Sequence, residues 1–331
     1  MGKVIPKWHR RLLVAAALVF LVLSPGRTQT WNVAPQPLGA LVDVGGYRVH
    51  LYCVGSGSPT VLITGAGYSF DWGLVQPEVA KFTRVCAYDH SGIAWSDPGP
   101  TDSCSVRVGE IHSALRNAKI TGPYVLVGHS LGAFVSRLNA SKYPDEVTGM
   151  VIVDHAFDGR DPDLGLAAPP APVATRADTD LAFQKLSARD YQLHLWANSL
   201  PGYSKIMERN RAMNPDCASE VEAASRNQTN PLDDKPLIVL SRYPIIPVLE
   251  PPRVSWSNPF NDRSPPKRVH SAELPPAYAK LLSKLLSLSS NSKQMVVEKS
   301  GHLSMIDRPD VVISAIREVV EAAQNHTKLK N

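Results

Sequence analysis

The sequence predicts an α/β fold, and three observations carry that reading. An apolar, β-branched run, Tyr124-Val125-Leu126-Val127, leads straight into Gly128-His129-Ser130-Leu131-Gly132 and then a helix-compatible segment, Ala133 to Leu138. Near the C-terminus a strand-like stretch, Gln294 to Glu298, turns through Lys299-Ser300-Gly301-His302. A helix then opens at Arg308-Pro309-Asp310, with proline near its first turn. Elsewhere short apolar strands alternate with helical segments along 331 residues, whose 44% hydrophobic content is enough to build a full core.

The elements follow in chain order. Gly39 to Val44 and Tyr47 to Val54 read as strands joined at Gly45-Gly46, a hairpin dipeptide. Pro59 precedes a third strand, Thr60 to Thr64, and Arg84 to Tyr88 makes a fourth. Val106 to Ile120 reads as a helix; after the Tyr124 strand and its helix, Thr148 to Asp154 reads as the next strand. From Asp158 to about Asn230 the pattern changes. A Pro/Ala-rich linker, Leu166 to Ala174, precedes helical segments around Leu181 to Trp196 and Tyr203 to Met213. The core resumes with the apolar strand Pro236 to Leu240, and a proline-rich irregular loop runs on through Lys267. The expected division is a leader over residues 1–30, a core over 31–157, a cap insertion over 158–231 and a second part of the core over 232–331. Phe183, Tyr191, Leu195 and Trp196 are assigned to packing of that cap on the core.

The Gly-x-Ser-x-Gly segment has the context of a nucleophile elbow. A serine on a sharp strand-to-helix turn needs neighbours without side chains two before and two after, which Gly128 and Gly132 supply. The turn lifts Oγ out of the sheet, and the helix N-terminus behind it offers amides to a developing oxyanion. Ser130 is the candidate nucleophile. His302 is the candidate base, because it sits on a loop at a strand's C-terminal end, where α/β sheets place their chemistry. His129, inside the elbow, is expected to matter through its backbone more than its ring.

Together these residues resemble the α/β-hydrolase superfamily, in its capped serine hydrolase or esterase-like branch. The resemblance runs over nearly all of the chain after the leader. It rests on Leu51 to Thr60 (Leu-Tyr-Cys-Val-Gly-Ser-Gly-Ser-Pro-Thr), Thr64-Gly65-Ala66-Gly67, Tyr88-Asp89-His90-Ser91-Gly92 with Ser96-Asp97, the Ser130 elbow and Ser300-Gly301-His302, in the family's order. It implies a mostly parallel eight-stranded sheet with helices on both faces, a helical cap insertion, and a serine–histidine–acid triad. One oxyanion donor is the amide of Leu131; by resemblance the second is Ala66, in the loop after the third strand. Many relatives have His-Gly at that strand end, and Thr64 departs from the pattern, which puts the support of the loop in question. The acid has two places in the family. The loop after the seventh strand offers Glu250 and Asp262, and the end of the sixth strand offers Asp154, which is favoured.

The formal charge of +5 resides in the leader, since Lys3, Lys7, Arg10, Arg11 and Arg27 meet no acid in residues 1–30 and the rest of the chain is balanced. No basic patch remains to argue for nucleic acid. Leu12 to Leu23 is apolar but spans only about 18 Å as a helix, against a hydrocarbon core of roughly 30 Å. A signal peptide is therefore expected, and an exported, periplasmic or secreted protein; the alternative is a membrane anchor through residues 12–23, the one membrane contact foreseen. Four cysteines then permit disulfides. The resemblance implies that Cys53 and Cys86 lie on neighbouring strands, while Cys104 and Cys217 lie in polar, loop-like surroundings; the expected pairing is Cys53–Cys86 with Cys104–Cys217, and the alternative is four free thiols. No metal-ligand spacing and no cofactor motif is present. The expected activity is hydrolysis of a small or medium apolar carboxylic ester through an acyl-enzyme. Amide or peptide cleavage, carbon–carbon hydrolysis, perhydrolysis and a non-catalytic small-molecule-binding protein are the alternatives.

Overall fold

Strands of this chain alternate their apolar side chains between two faces, and helices cover both. A computed structural model describes residues 33–65, 67–155, 181–226, 231–242 and 276–330. Its eight strands are β1 (Ala40–Asp43), β2 (Arg48–Val54), β3 (Thr60–Thr64), β4 (Val85–Asp89), β5 (Tyr124–Ser130), β6 (Val147–His155), β7 (Leu237–Arg242) and β8 (Ser292–Val297). They form one sheet in the order β1-β2-β4-β3-β5-β6-β7-β8. Only β2 runs against the rest, pairing antiparallel with β1 and β4; every other pairing is parallel. This is the mostly parallel eight-stranded sheet that the sequence implies.

The helices are α1 (Gln76–Val79), α2 (Cys104–Asn117), α3 (Leu131–Lys142), α4 (Ala188–Ser199), α5 (Tyr203–Ala212), α6 (Asn214–Ser225), α7 (Pro276–Leu286), α8 (Ser304–Asp307) and α9 (Pro309–Asn325). Leu62, Leu126, Met150, Ile152 and Val239 meet α2, α3, α6 and α7 on one face. Their neighbours along each strand, Val61, Ile63, Val125, Val127, Val151 and Ile238, meet α1 and α9 on the other. The period of two thus buries every central strand on both sides, as parallel sheets require.

Helices α6 and α7 were not anticipated. Each is short, and each is held by tertiary partners. Cys217 of α6 is bridged to Cys104 of α2, 113 residues away in sequence, and α7 buries Leu281, Leu282 and Leu285 in the core. The second bridge joins Cys53 to Cys86, which stand opposite each other on β2 and β4. In the insertion, Phe183 and Trp196 are buried, against His194 and Trp95 respectively, while Tyr191 and Leu195 are half-buried. The leader, the linker at Leu166 to Ala174 and the loop from 243 to 275 lie outside the described residues. Among the described residues no helix is long and apolar enough to cross a membrane.

Candidate active site

Strand β5 ends at Ser130 and α3 begins at Leu131, with no residue between them. The chain can turn that sharply only by straining Ser130, at φ 55° and ψ −124°, a region non-glycine residues rarely enter. Both flanking glycines are sterically required. A Cβ on Gly128 would lie 2.6 Å from the Gly132 oxygen and 2.7 Å from the Ala133 Cα, and one on Gly132 would collide with the Thr64 carbonyl. Ser130 Oγ makes no capping bond to the helix it opens. The Leu131 amide is the first of α3, where the helix dipole favours negative charge.

Thr64, the departure from the family pattern, has a definite task. Its hydroxyl donates to the Gly132 carbonyl at 3.0 Å and shares a 3.0 Å hydrogen bond with Ser136 Oγ. It fastens the end of β3 to the first turn of α3. The loop it supports includes Ala66, which lies outside the described residues, as do Glu250 and Asp262.

Asp154 is carried by a bulge. In the pairing of β5 with β6, His129 faces Val153 and Ser130 faces His155, leaving Asp154 as the extra residue at φ 42°. A bulge of this kind re-aims a side chain. The Asp154 carboxylate accepts a hydrogen bond from Nδ1–H of His302, and its side chain is only 7% exposed, against 15% for the histidine. That bond gives the imidazole the tautomer in which Nε2 is the basic nitrogen.

The loop bearing His302 is tied down from three sides. Asp307 Oδ2 accepts from the Gly301 amide at 3.0 Å, and Asp307 Oδ1 accepts from Lys185 of the insertion at 2.7 Å. His129 holds the third side, through its ring rather than its backbone. Its Nε2–H donates to the His302 carbonyl at 2.8 Å, the two rings lie 4.7 Å apart, and Trp72 meets the His129 ring edge-on. The residue before the nucleophile thus connects the elbow to the histidine's backbone. Sequence reading missed this role, and only the identity of the residue, a donor-bearing ring beside Ser130, hinted at it.

Among the described residues no group of three or more histidines, cysteines or acids could hold a metal. His90, which follows β4, has a different environment from His302. Burial first, and then the charge of Arg107, push its pKa down to about 3, so it stays neutral at ordinary pH.

A family model described as "Alpha/beta hydrolase family" matches residues 21–315. An uncharacterized protein of Schizosaccharomyces pombe is 34% identical over 138 residues, 32% of this chain and 26% of that protein. An "uncharacterized vacuolar membrane protein" of Saccharomyces cerevisiae is 28% identical over 129 residues, 33% of this chain and 20% of that one. The match therefore spans about a quarter or less of these fungal relatives. A 2-hydroxy-6-oxo-2,4-heptadienoate hydrolase of Pseudomonas putida is 30% identical over 121 residues, 35% of this chain and 44% of the enzyme. Among solved structures, that of a lipase assignment from Acinetobacter baumannii superimposes with a TM-score of 0.60 at 18% identity, over 87% of this chain and 92% of that one. At that identity the likeness concerns the fold.

The expectation of an exported, periplasmic or secreted protein does not stand, and residues 12–23, the alternative anchor, lie outside the described residues. The Saccharomyces relatives are described as vacuolar membrane proteins. The physical reason is the weakness of the signal. A basic stretch before twelve apolar residues marks an apolar chain start and does not specify a compartment.

Proposed function

This chain belongs to the alpha/beta hydrolase family, and on that footing we propose that it is a serine hydrolase cleaving carboxylic esters through an acyl-enzyme. One observation carries the reading: an aspartate on the bulge of β6 receives Nδ1–H of a histidine whose backbone is bonded to the residue preceding the strained serine. Ser130 Oγ attacks the ester carbonyl carbon while His302 Nε2 takes its proton. Asp154 keeps the imidazole oriented and stabilises the imidazolium as it forms. The amides of Leu131 and Ala66 hold the oxyanion, and His302 returns the proton to the departing alcohol. Water, deprotonated by the same nitrogen, then releases the acid and restores Ser130. No cofactor enters these steps, and the partner is a small-molecule ester with an apolar acyl group.

Labelling by a fluorophosphonate probe and turnover of p-nitrophenyl esters of graded acyl length test this reading, with Ser130→Ala as the blank. Equal labelling of wild type and variant would remove Ser130 from the mechanism. A second reading, hydrolysis of a carbon–carbon bond next to a ketone, has support in the resemblance to the heptadienoate hydrolase. The same nucleophile would serve. Turnover of a 2-hydroxy-6-oxo-dienoate, with esters left untouched, would favour it.

A further inference from the structure

The loop after β3 is joined to the insertion by a closed ring of buried hydrogen bonds. Asp71 stands in the short turn Ser69–Trp72 and accepts the Tyr68 amide on Oδ2 at 3.0 Å. Its other oxygen accepts Nδ1–H of His194, from α4, at 2.7 Å. His194 Nε2 in turn accepts from Asn198 Nδ2 at 2.9 Å, and Asn198 Oδ1 accepts the Tyr68 hydroxyl at 3.0 Å. The ring begins and ends on Tyr68, and none of its four members is more than 6% exposed. Each bond fixes the direction of the next, so His194 is held in its Nδ1–H form.

This ring encloses a backbone that has almost no freedom. A Cβ on Gly67 would lie 2.5 Å from Asp71 Oδ2, and one on Gly73 would lie 2.6 Å from Asp190 Oδ2 of α4. At its other end the loop touches the elbow, because a Cβ on Gly132 would stand 2.9 Å from the Gly65 nitrogen. Gly65 therefore stands close against α3, and the segment from Gly67 to Gly73 close against α4. Phe183 stacks on the His194 ring at 3.9 Å and holds it there.

We propose that His194 is a positioning residue, which fixes the loop after β3 against the nucleophile by fastening Tyr68 and Asp71 to helix α4. The inference rests on the serine hydrolase reading above, in which an amide of that loop steadies the oxyanion. Its consequence is that seating of the insertion on the core is needed for the transition state, not for binding of the ground state. A misplacement of about 1 Å can cost on the order of 100-fold in rate, so a donor that is no longer held in place loses stabilisation of the oxyanion.

Fluorophosphonate labelling rates and ester kinetics of His194→Ala, Asn198→Ala and Tyr68→Phe test this, each measured well below the variant's melting temperature. For His194→Ala the expected loss is about 10- to 100-fold in labelling rate and kcat, with KM within about threefold. Affinity for a boronate that forms a tetrahedral adduct falls in parallel, and affinity for the carboxylate product does not. The double variant His194→Ala/Tyr68→Phe loses little more than His194→Ala alone, as expected of one ring. A His194→Ala protein with wild-type kcat per folded molecule, or with all its loss in KM, would overturn the proposal. If His194→Ala fails to fold, Tyr68→Phe decides, since it removes one hydroxyl and no volume; a wild-type labelling rate there overturns it too. An unlabelled wild type would sink the serine hydrolase reading itself, and this inference with it.

Discussion

Among the described residues, serine, histidine and aspartate come together in a buried cluster as well as in the proposed triad, and the two are held very differently. Beneath the hairpin, His50 Nδ1–H donates to Asp89 at 2.7 Å, as His302 Nδ1–H does to Asp154. There the likeness ends. The Ser69 hydroxyl donates to the same aspartate at 2.8 Å, its amide donates at 2.6 Å, and His50 Nε2 accepts the Gly39 amide at 2.9 Å. Every polar group of that cluster is committed, and His50 and Asp89 have no exposed surface at all. Ser69 lies in a regular short turn, whereas Ser130 is held at positive φ at the mouth of a helix. What sets the proposed triad apart is a strained serine at a helix N-terminus and a histidine whose Nδ1–H is taken up by an aspartate on a bulge. Three residue types in contact make a strut.

The largest expected effect follows from that contrast. Ser130→Ala should remove on the order of 10⁶ of kcat and all labelling by a fluorophosphonate, with the fold intact by circular dichroism. Ser69→Ala should label normally. Labelled Ser130→Ala together with silent Ser69→Ala would exchange the roles of the two clusters.

The two aspartates come next. Asp154→Asn keeps the shape and loses the charge, and should lower kcat by up to about 10⁴ with little change in melting temperature. Asp89→Asn should do the opposite. It leaves buried donors facing an amide, and a loss of about 2–3 kcal/mol is expected, seen as a fall of roughly 3–4 °C in Tm. Activity per folded molecule should survive. If Asp154→Asn instead lost melting temperature and kept its turnover, Asp154 would belong with the struts.

The last effect concerns acid. His90 follows Asp89 directly and is held neutral, with a pKa near 3 against 6.5 for the free side chain. In the unfolded chain it takes up a proton below pH 6.5, and in the folded chain it does not. Its contribution is thus fully present above 6.5 and is lost progressively as the pH falls toward 3, by up to about 1.4 kcal/mol per unit. Urea unfolding between pH 7 and 4 should show that slope, and His90→Gln should flatten it. An unchanged slope in the variant would assign the acid sensitivity to other groups.

Much of this architecture is legible in the sequence because it is local. The Ser130 elbow announces itself by strand, glycines and helix within a dozen residues, and β3 comes out at Thr60 to Thr64, as read from Pro59 and the apolar run that follows. Asp154 could be named because it closes an apolar strand, and the structure brings it to His302 across 148 residues. What stayed hidden depends on chain closure. The His129 ring finds its acceptor 173 residues away, and His194 finds Asp71 across 123. No spacing rule links such pairs. Helices α6 and α7 likewise depend on a bridge and on a core supplied by distant segments. The leader misled for the opposite reason, since a short local signal was asked to specify a cellular address.

The bulge at Asp154 divides the labour of the chain. In the proposed triad the group that orients the base belongs to β6, a central strand fixed by its pairing with both β5 and β7. The stretch 243–275, with Glu250 and Asp262 in it, then has no part in proton transfer. Substitutions there leave the acid where the sheet puts it. In the proposed triad the acid is thus written into a strand paired on both of its edges.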